Sequence, residues 1–271
     1  MLALVAAALL EQTPLIQCSQ YAQKNAPQQK TLWDGYLLTI GPSDTGGCEA
    51  VVRDAKGKPV LRTVGYSVIL DADETGRDLD GDGKPDLVLN TDTGGGNHCC
   101  WGFEVYSLSP TPRKLFDVGG SGAVDFQHDA TGVLIWQRVG GSAAFTSMAA
   151  RPFAEQLFRV RAGRLVDVTA DYAAQLLSDD WRDFSQAKGE LTPEKLARLA
   201  RDGGVDALDN EAVVSALLSR ALQQALCRKY DAALATLNLW PADSRAAMKA
   251  EFAKWIREDR PDFATRLAPA R

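Results

Sequence analysis

The residues best suited to chemistry lie in one short segment, Asp78-Leu79-Asp80-Gly81-Asp82-Gly83-Lys84-Pro85-Asp86. Its aspartates stand at positions 1, 3, 5 and 9, and a glycine stands at position 6. A loop that curls around an ion turns every second side chain inward, and Ca²⁺ takes about six to eight oxygen ligands at about 2.3–2.6 Å. The glycine permits the sharp bend that such a loop needs. The predicted calcium ligands are the carboxylates of Asp78, Asp80, Asp82 and Asp86 and the main-chain carbonyl of Lys84.

The charge around this segment favours a bound cation. Residues 71–92 contain eight acidic side chains and only two basic ones, Arg77 and Lys84. Carboxylates packed into a folded loop repel one another unless solvent separates them or a cation neutralises them. Magnesium fits less well, because it requires near-ideal octahedral geometry at about 2.0–2.1 Å. The alternative is an acidic surface turn without an ion, since Asp and Gly are good turn formers.

The segment differs from an EF-hand at two points. An EF-hand has a bidentate Glu at position 12 and helices on both sides, whereas position 12 here is Leu89. The apolar stretches on either side, Ser67–Leu70 and Leu87–Leu89, are typical of strands. We therefore expect a loop between two strands, with the missing ligand supplied by another carboxylate or by water.

The segment from Asp78 to Val88 resembles the calcium loop of FG-GAP/VCBS-type repeats, the blades of integrin α-subunit propellers and of many secreted bacterial proteins. The match is strong over about a dozen residues. Further likeness to exported bacterial VCBS-repeat proteins comes from the run Thr93–Trp101, its spacing from Cys48, and Trp240-Pro241 in the tail. The resemblance implies that the five predicted ligands hold calcium between two strands. It also implies a structural or binding role rather than catalysis.

A second acidic segment, residues 125–132, lies 47 residues beyond the first. It keeps Asp only at positions 1 and 5, as Asp125 and Asp129. We expect no metal there. A complete propeller needs four or more blades of about four strands, and the β region is long enough for about three. The expected architecture is therefore a partial propeller or a two-sheet β domain.

Five cysteines, at positions 18, 48, 99, 100 and 227, contain no C-x-x-C pair. Their scatter is unlike a structural zinc site or a thioredoxin motif and favours disulfides in an oxidising compartment. Cys48 is expected to pair with Cys99 or Cys100, with one thiol left over. Two alternatives stay open: free buried thiols in a cytosolic protein, and a copper or zinc site at His98-Cys99-Cys100.

The chain begins with an unbroken apolar run, Met1–Leu10. This is the length of a signal-peptide hydrophobic region and half of a membrane span. No Lys or Arg precedes it, which departs from an ordinary secretion signal, and a short buried helix or strand is the alternative. With the cysteines and the calcium loop, the run predicts a periplasmic or secreted protein. No other stretch approaches the length of a span, so no stable membrane span is expected.

Hydrophobic periodicity divides the 271 residues into two halves. From Trp33 to about Thr169, short β-branched and aromatic runs alternate with Gly, Pro and Asp, as in antiparallel strands. After Asp171 the period becomes helical. We predict an α+β protein with segregated halves: an N-terminal segment (1–30), an antiparallel β domain (31–170) and a small helical bundle (171–271).

Three helices have clear boundaries in the sequence. Thr192 is a predicted N-cap with Pro193 at the first helical position, and a second helix follows Asn210. A third begins after Pro241 and is expected to end by Pro261.

Composition narrows the function. A net charge of -5 argues against nucleic-acid binding, which needs a basic face. The chain has only two histidines and contains no Walker loop, dinucleotide fingerprint or G-x-S-x-G nucleophile elbow. We therefore predict an exported, non-enzymatic calcium-binding protein that serves as a binding or envelope-associated module for a protein or glycan partner. The alternative is an envelope glycan or peptide hydrolase that uses paired carboxylates.

Overall fold

The computed structural model describes residues 16–20, 26–94, 101–119, 123–140, 146–147, 150–178, 189–201 and 210–267. The apolar run Met1–Leu10 and the segment His98-Cys99-Cys100 lie outside these ranges, and so do the predictions made for them.

Thirteen strands in the described ranges form three antiparallel sheets. The strands are β1 (Gln17–Ser19), β2 (Gln28–Thr31), β3 (Leu37–Pro42), β4 (Cys48–Arg53), β5 (Pro59–Gly65), β6 (Ser67–Leu70), β7 (Asp86–Asp92), β8 (Trp101–Ser107), β9 (Arg113–Gly119), β10 (Val124–Asp129), β11 (Gly132–Gly140), β12 (Phe153–Arg161) and β13 (Arg164–Asp167). Sheet 1 has the order β2-β3-β4-β5, sheet 2 the order β1-β6-β7-β8-β9, and sheet 3 the order β10-β11-β12-β13. Each sheet therefore contains four strands that follow one another in the chain, and sheet 2 adds β1 at its β6 edge. The antiparallel β half is confirmed, with three sheets where the two-sheet alternative expected two.

The sheets pack as successive layers. In β7, Leu87 and Leu89 belong to the core shared with sheet 1, whereas Val88 belongs to the core shared with sheet 3. In β11, Ile135 belongs to the core shared with sheet 2, and Leu134 lies in a cluster with the first residues of the helical half. Both faces of these strands are buried, which explains why they are continuous apolar runs rather than alternating ones.

Six α-helices follow the sheets in the described ranges: α1 (Ala173–Leu176), α2 (Pro193–Arg201), α3 (Glu211–Leu226), α4 (Tyr230–Leu237), α5 (Arg245–Ile256) and α6 (Pro261–Leu267). The Lys195 amide donates to Thr192 Oγ1 at 3.3 Å, which confirms the predicted cap of α2. The third predicted helix ends at Ile256, before Pro261 as expected. Pro261 itself begins α6, in keeping with the fixed φ that suits proline to a first turn.

The helical half has its own core and is bonded to sheet 3. Trp240, Phe252 and Phe263 are fully buried in it. At the junction, Gln223 of α3 accepts from the Glu155 amide at 2.8 Å and donates to the Glu155 carbonyl at 3.0 Å. The bundle is therefore a layer on the β half. None of the helices in these ranges is long and apolar enough to cross a membrane.

The disulfide differs from the prediction. Cys48 is bonded to Cys18, 30 residues earlier, and not to Cys99 or Cys100. The two cysteines are fully buried on β1 and β4, strands of different sheets, and the bond lies in the core between those sheets. Sequence reasoning missed this pairing because it predicted no strand at Cys18. Cys227 is a free, buried thiol at the end of α3.

Candidate metal centre

The predicted calcium segment lies in the connector between β6 and β7, residues 71–85, in the middle sheet. Backbone bonds close the base of the loop: Gly76 donates to the Asp86 carbonyl at 2.8 Å, and Asp86 donates to the Arg77 carbonyl at 2.7 Å. Thr75 Oγ1 and the backbone of Val88 exchange two hydrogen bonds of 3.1 Å. Residues 78–85 are therefore a compact loop on the end of sheet 2, as the strand-loop-strand interpretation predicts.

Asp78 shapes the loop through the backbone. Its Oδ1 accepts from the amides of Gly81 at 2.8 Å and Asp82 at 3.1 Å, and its Oδ2 accepts from Gly83 at 2.8 Å. Gly81 and Gly83 have φ of 81° and 82°, the left-handed region that glycine adopts without strain. The bend inferred at Gly83 is present, and Gly81 forms a second one.

Asp86 is the buried member of the loop. Its side chain is fully buried, and its Oδ2 accepts from the Leu79 amide at 2.8 Å. Its Oδ1 is also buried but has no hydrogen-bond partner among the described residues. Burial raises the pKa of this carboxyl to about 7; the amides of Leu79 and Asp80 oppose the rise, and the negative charges of Asp80 and Asp82 add to it. A buried carboxylate oxygen without a partner is unfavourable unless something supplies a positive charge.

Three carboxylates converge at this point. Oxygens of Asp78, Asp80 and Asp86 lie within 4.8 Å of one another, so the group could hold a metal ion. Asp80 is 9% exposed. Burial raises the pKa of Asp80, with the Asp82 amide opposing the rise and the charges of Asp82 and Asp78 adding to it. All three donors are oxygens, which suits a hard cation.

The two other predicted ligands lie differently. Asp82 is exposed, is not a member of the converging group, and accepts from the Lys84 amide through Oδ1 at 2.8 Å. The Lys84 ammonium donates to Ser109 Oγ at 2.9 Å. This contact ties the loop to the turn between β8 and β9.

Two neighbours of the site were not predicted from the sequence. Arg113, at the start of β9, places Nη2 3.6 Å from Asp80 Oδ2. Gly163, in the turn between β12 and β13, lies so close that a Cβ there would be 3.4 Å from Asp80 Oδ2. Neither residue carries a local sequence signal, because strand pairing brings them to the loop from 33 and 83 positions beyond Asp80. Through them the loop contacts elements of sheets 2 and 3.

The second acidic segment forms a strand and turn of sheet 3. Asp125 lies on β10, and its Oδ2 accepts from Gln127 Nε2 at 3.0 Å. Asp129 accepts a hydrogen bond from the Thr131 amide and forms an ion pair with Arg159. His128 has its Nε2 2.7 Å from Glu74 Oε2 and so joins this hairpin to the β6–β7 connector.

Comparisons with protein-family models, with curated proteins and with solved structures find no match to this chain.

Proposed function

We propose that this protein is an exported, non-enzymatic calcium-binding module of the FG-GAP/VCBS type. In this proposal Asp78, Asp80 and Asp86 bind the ion directly, and Asp82 and the Lys84 carbonyl complete the set. The observation that carries the proposal is that Asp86, whose buried Oδ1 has no hydrogen-bond partner in the described structure, belongs to a group of three converging carboxylates.

The electrostatics of the loop support a divalent ion. The oxygens of three carboxylates lie within 4.8 Å of one another. The group forms one ion pair in the described structure, a long one, in which the Arg113 guanidinium lies 3.6 Å from Asp80. A divalent cation would neutralise the excess negative charge and give Asp86 Oδ1 a partner. Calcium suits a partly open site, because it accepts about six to eight oxygens in flexible geometry and takes water for the ligands that protein does not supply. Asp78 is exposed, so water can reach this side of the group.

The position of the loop supports a structural role for the ion. The loop is bonded to the β8–β9 turn through Ser109 and lies near Gly163 of the β12–β13 turn. An ion bound there would fix the junction between sheets 2 and 3 and stiffen the stack that presents its surface to a protein or glycan partner. Extracellular modules bind calcium with Kd of about 10⁻⁴–10⁻³ M. The Cys18–Cys48 disulfide fits a periplasmic or secreted location.

In the described part of the chain, one pair of carboxylates outside the loop shares a cation, and this pair does not support the hydrolase alternative. Glu104 and Asp117 both accept from Lys114, at 2.8 and 3.1 Å. Burial favours a higher pKa for Glu104, but its hydrogen bonds with Lys114, Thr63 and Tyr106 and the charge of Lys114 together outweigh burial, and the pKa is lowered. A glycosidase acid requires a raised pKa, so this pair suits a structural ion bridge better.

Calcium titration of the full chain by isothermal calorimetry tests the proposal, together with thermal melting in calcium and in EGTA. We expect one site with a Kd between about 10⁻⁵ and 10⁻³ M, a melting temperature that rises with calcium, and a weaker response to magnesium. Asp80→Asn should weaken binding by about tenfold or more, since it removes one of three charged ligands.

Asp125→Asn is the matched control, because it removes an exposed carboxylate outside the loop and should leave calcium affinity unchanged. A wild-type protein that neither binds calcium nor melts differently in EGTA would refute the proposal.

A further inference from the structure

We infer that Arg113 is a built-in counter-cation of the metal centre, which pairs with Asp80 in the absence of an ion and thereby weakens the site for calcium. This inference rests on the proposed calcium-binding function and adds a means by which the chain sets the affinity. The ligand it concerns is a divalent cation, and the acting group is a guanidinium outside the predicted loop.

The placement of Arg113 fits a displaceable cation. Its Nη2 lies 3.6 Å from Asp80 Oδ2, and its side chain is 48% exposed whereas that of Asp80 is 4% exposed. A strong charge-assisted bond is shorter, about 2.7–2.9 Å. Arg113 therefore approaches Asp80 from the solvent side without being locked to it, and the guanidinium can move away into water when an ion binds.

The second cation near the loop, Lys84, already has a hydrogen-bond partner. The Lys84 ammonium donates to Ser109 Oγ at 2.9 Å, on the adjoining β8–β9 turn. In the described part of the chain, the ion pair made by the three-aspartate group is the one with Arg113. Arg113 is consequently the side chain whose charge most directly opposes a bound cation.

An observation independent of Arg113 also points to a cation at the acidic group. Asp86 is fully buried, its Oδ1 has no partner among the described residues, and its carboxylate belongs to the same converging group as Asp80. Arg113 pairs with Asp80 and leaves this buried oxygen unsatisfied. A cation that binds between the carboxylates can satisfy both, so the arginine competes at Asp80 without being able to replace the ion.

The size of the effect follows from the exposure of the pair. Half-exposed ion pairs contribute little, so calcium can displace the guanidinium. The positive charge nevertheless remains tethered to β9 and repels the ion. Removal of that charge should strengthen calcium binding by about two- to tenfold. The effect should shrink in high salt, because the displaced guanidinium lies in solvent.

Calcium titration of four full-length proteins tests the inference: the wild type, Arg113→Gln, Arg113→Lys and Arg77→Gln. Arg113→Gln should bind calcium about two- to tenfold more tightly, and Arg113→Lys, which keeps a charge, should stay within about twofold of the wild type. Arg77 is the matched control. It is exposed and adjacent to Asp78 in sequence, but its guanidinium bonds to the Asp73 carbonyl at 2.8 Å and lies 3.8 Å from Glu74, so Arg77→Gln should change affinity less than Arg113→Gln.

The outcomes separate the two proposals. If the wild type binds calcium and Arg113→Gln binds it equally or more weakly, Arg113 is not a competing cation and the calcium function still stands. Equal gains from Arg113→Gln and Arg77→Gln would also overturn the inference, since general surface charge would then explain both. If neither the wild type nor Arg113→Gln binds calcium, the proposed function fails and this inference fails with it.

Discussion

The Leu79 amide donates to Asp86 Oδ2 at 2.8 Å, and this bond joins the second residue of the acidic loop to the first residue of β7. It satisfies one oxygen of a fully buried carboxylate and leaves the other, Oδ1, without a partner in the described structure. The same carboxyl belongs to the group in which oxygens of Asp78, Asp80 and Asp86 lie within 4.8 Å of one another. The loop thus contains a buried carboxyl with one unsatisfied oxygen inside a cluster of acidic groups.

Asp86→Asn should abolish calcium binding and at the same time stabilise the ion-free protein. The amide has nearly the same shape, and its oxygen can still accept from Leu79. It removes a buried negative charge that two neighbouring carboxylates repel, which should raise the free energy of unfolding by about 1–2 kcal/mol in EGTA. Urea unfolding in EGTA and in calcium measures both effects. Calcium should raise the free energy of unfolding of the wild type more than that of the variant. Asp86→Asn that destabilises the protein equally in both buffers would show that the carboxylate is only a structural acceptor.

Gly163→Ala should weaken calcium binding, although Gly163 belongs to sheet 3 and the acidic loop to sheet 2. Gly163 has φ of 70°, and a Cβ there would lie 3.3 Å from Leu115 Cδ2 and 3.4 Å from Asp80 Oδ2. Gly57→Ala is the matched control, since Gly57 has φ of 79° but nothing within 4 Å of its Cβ position. Both variants should lose about 1 kcal/mol of stability to backbone strain, measured by urea unfolding. Gly163→Ala should additionally raise the Kd for calcium; equal affinities in the two variants would contradict a role for this turn in the site.

The loop could be located from the sequence because the residues that define it are close together in the chain. Aspartates at alternate positions with glycines between them predict a bent, oxygen-lined connector, and Asp78, Asp80 and Asp86 do converge. Arg113 and Gly163 could not be predicted, because their proximity to Asp80 depends on the pairing of β8 with β9 and the packing of sheet 3 on sheet 2. The route of the Lys84 side chain to Ser109 depends on the same packing.

The strands differ in the same way: some can be predicted from their own residues, and others depend on residues far away in the chain. The apolar runs Ser67–Leu70 and Leu87–Leu89 were correctly predicted as strands, because both of their faces are largely buried. Strands β1 and β2 were missed, since Gln17–Ser19 and Gln28–Thr31 are short and largely polar and are held by pairing with β6 and β3. Without β1, the partner of Cys48 could not be identified.

Removal of the disulfide should cost considerable stability. Cys18 and Cys48 are 30 residues apart and both fully buried. The loop-entropy model gives about 3–4 kcal/mol for a loop of this length. Cys18→Ala/Cys48→Ala should therefore show a lower free energy of unfolding in urea by about this amount. A reducing agent should destabilise the wild type and leave the double variant unaffected. Equal sensitivity of the two proteins to reductant would place the important disulfide elsewhere.

The junction between the sheets and the helices should depend on an ion pair and therefore on acid. Arg260, only 5% exposed, donates to Asp167 Oδ2 at 2.7 Å and to the Leu226 carbonyl through Nε at 3.2 Å. Burial favours a higher pKa for Asp167, but the bonds from Arg260 and Thr169 outweigh it and hold the pKa below its ordinary value of 3.8. For a lowered folded-state pKa, the stabilisation is complete above the unfolded value, near pH 4, and disappears as the pH falls through the folded value.

Asp167→Asn should accordingly lower the free energy of unfolding at pH 7 by about 2 kcal/mol, because it leaves Arg260 buried without its carboxylate. Urea unfolding between pH 7 and pH 3 measures this. The difference in free energy of unfolding between wild type and variant should be constant down to about pH 4 and become smaller below it. Asp231→Asn is the control from the helical half. The Asp231 side chain is 99% exposed and lies 3.8 Å from Arg266, so its loss should change stability by less than about 0.5 kcal/mol at pH 7. A gap for Asp167→Asn that persists unchanged at pH 3 would mean that packing, rather than the charge on Asp167, holds the helices on sheet 3.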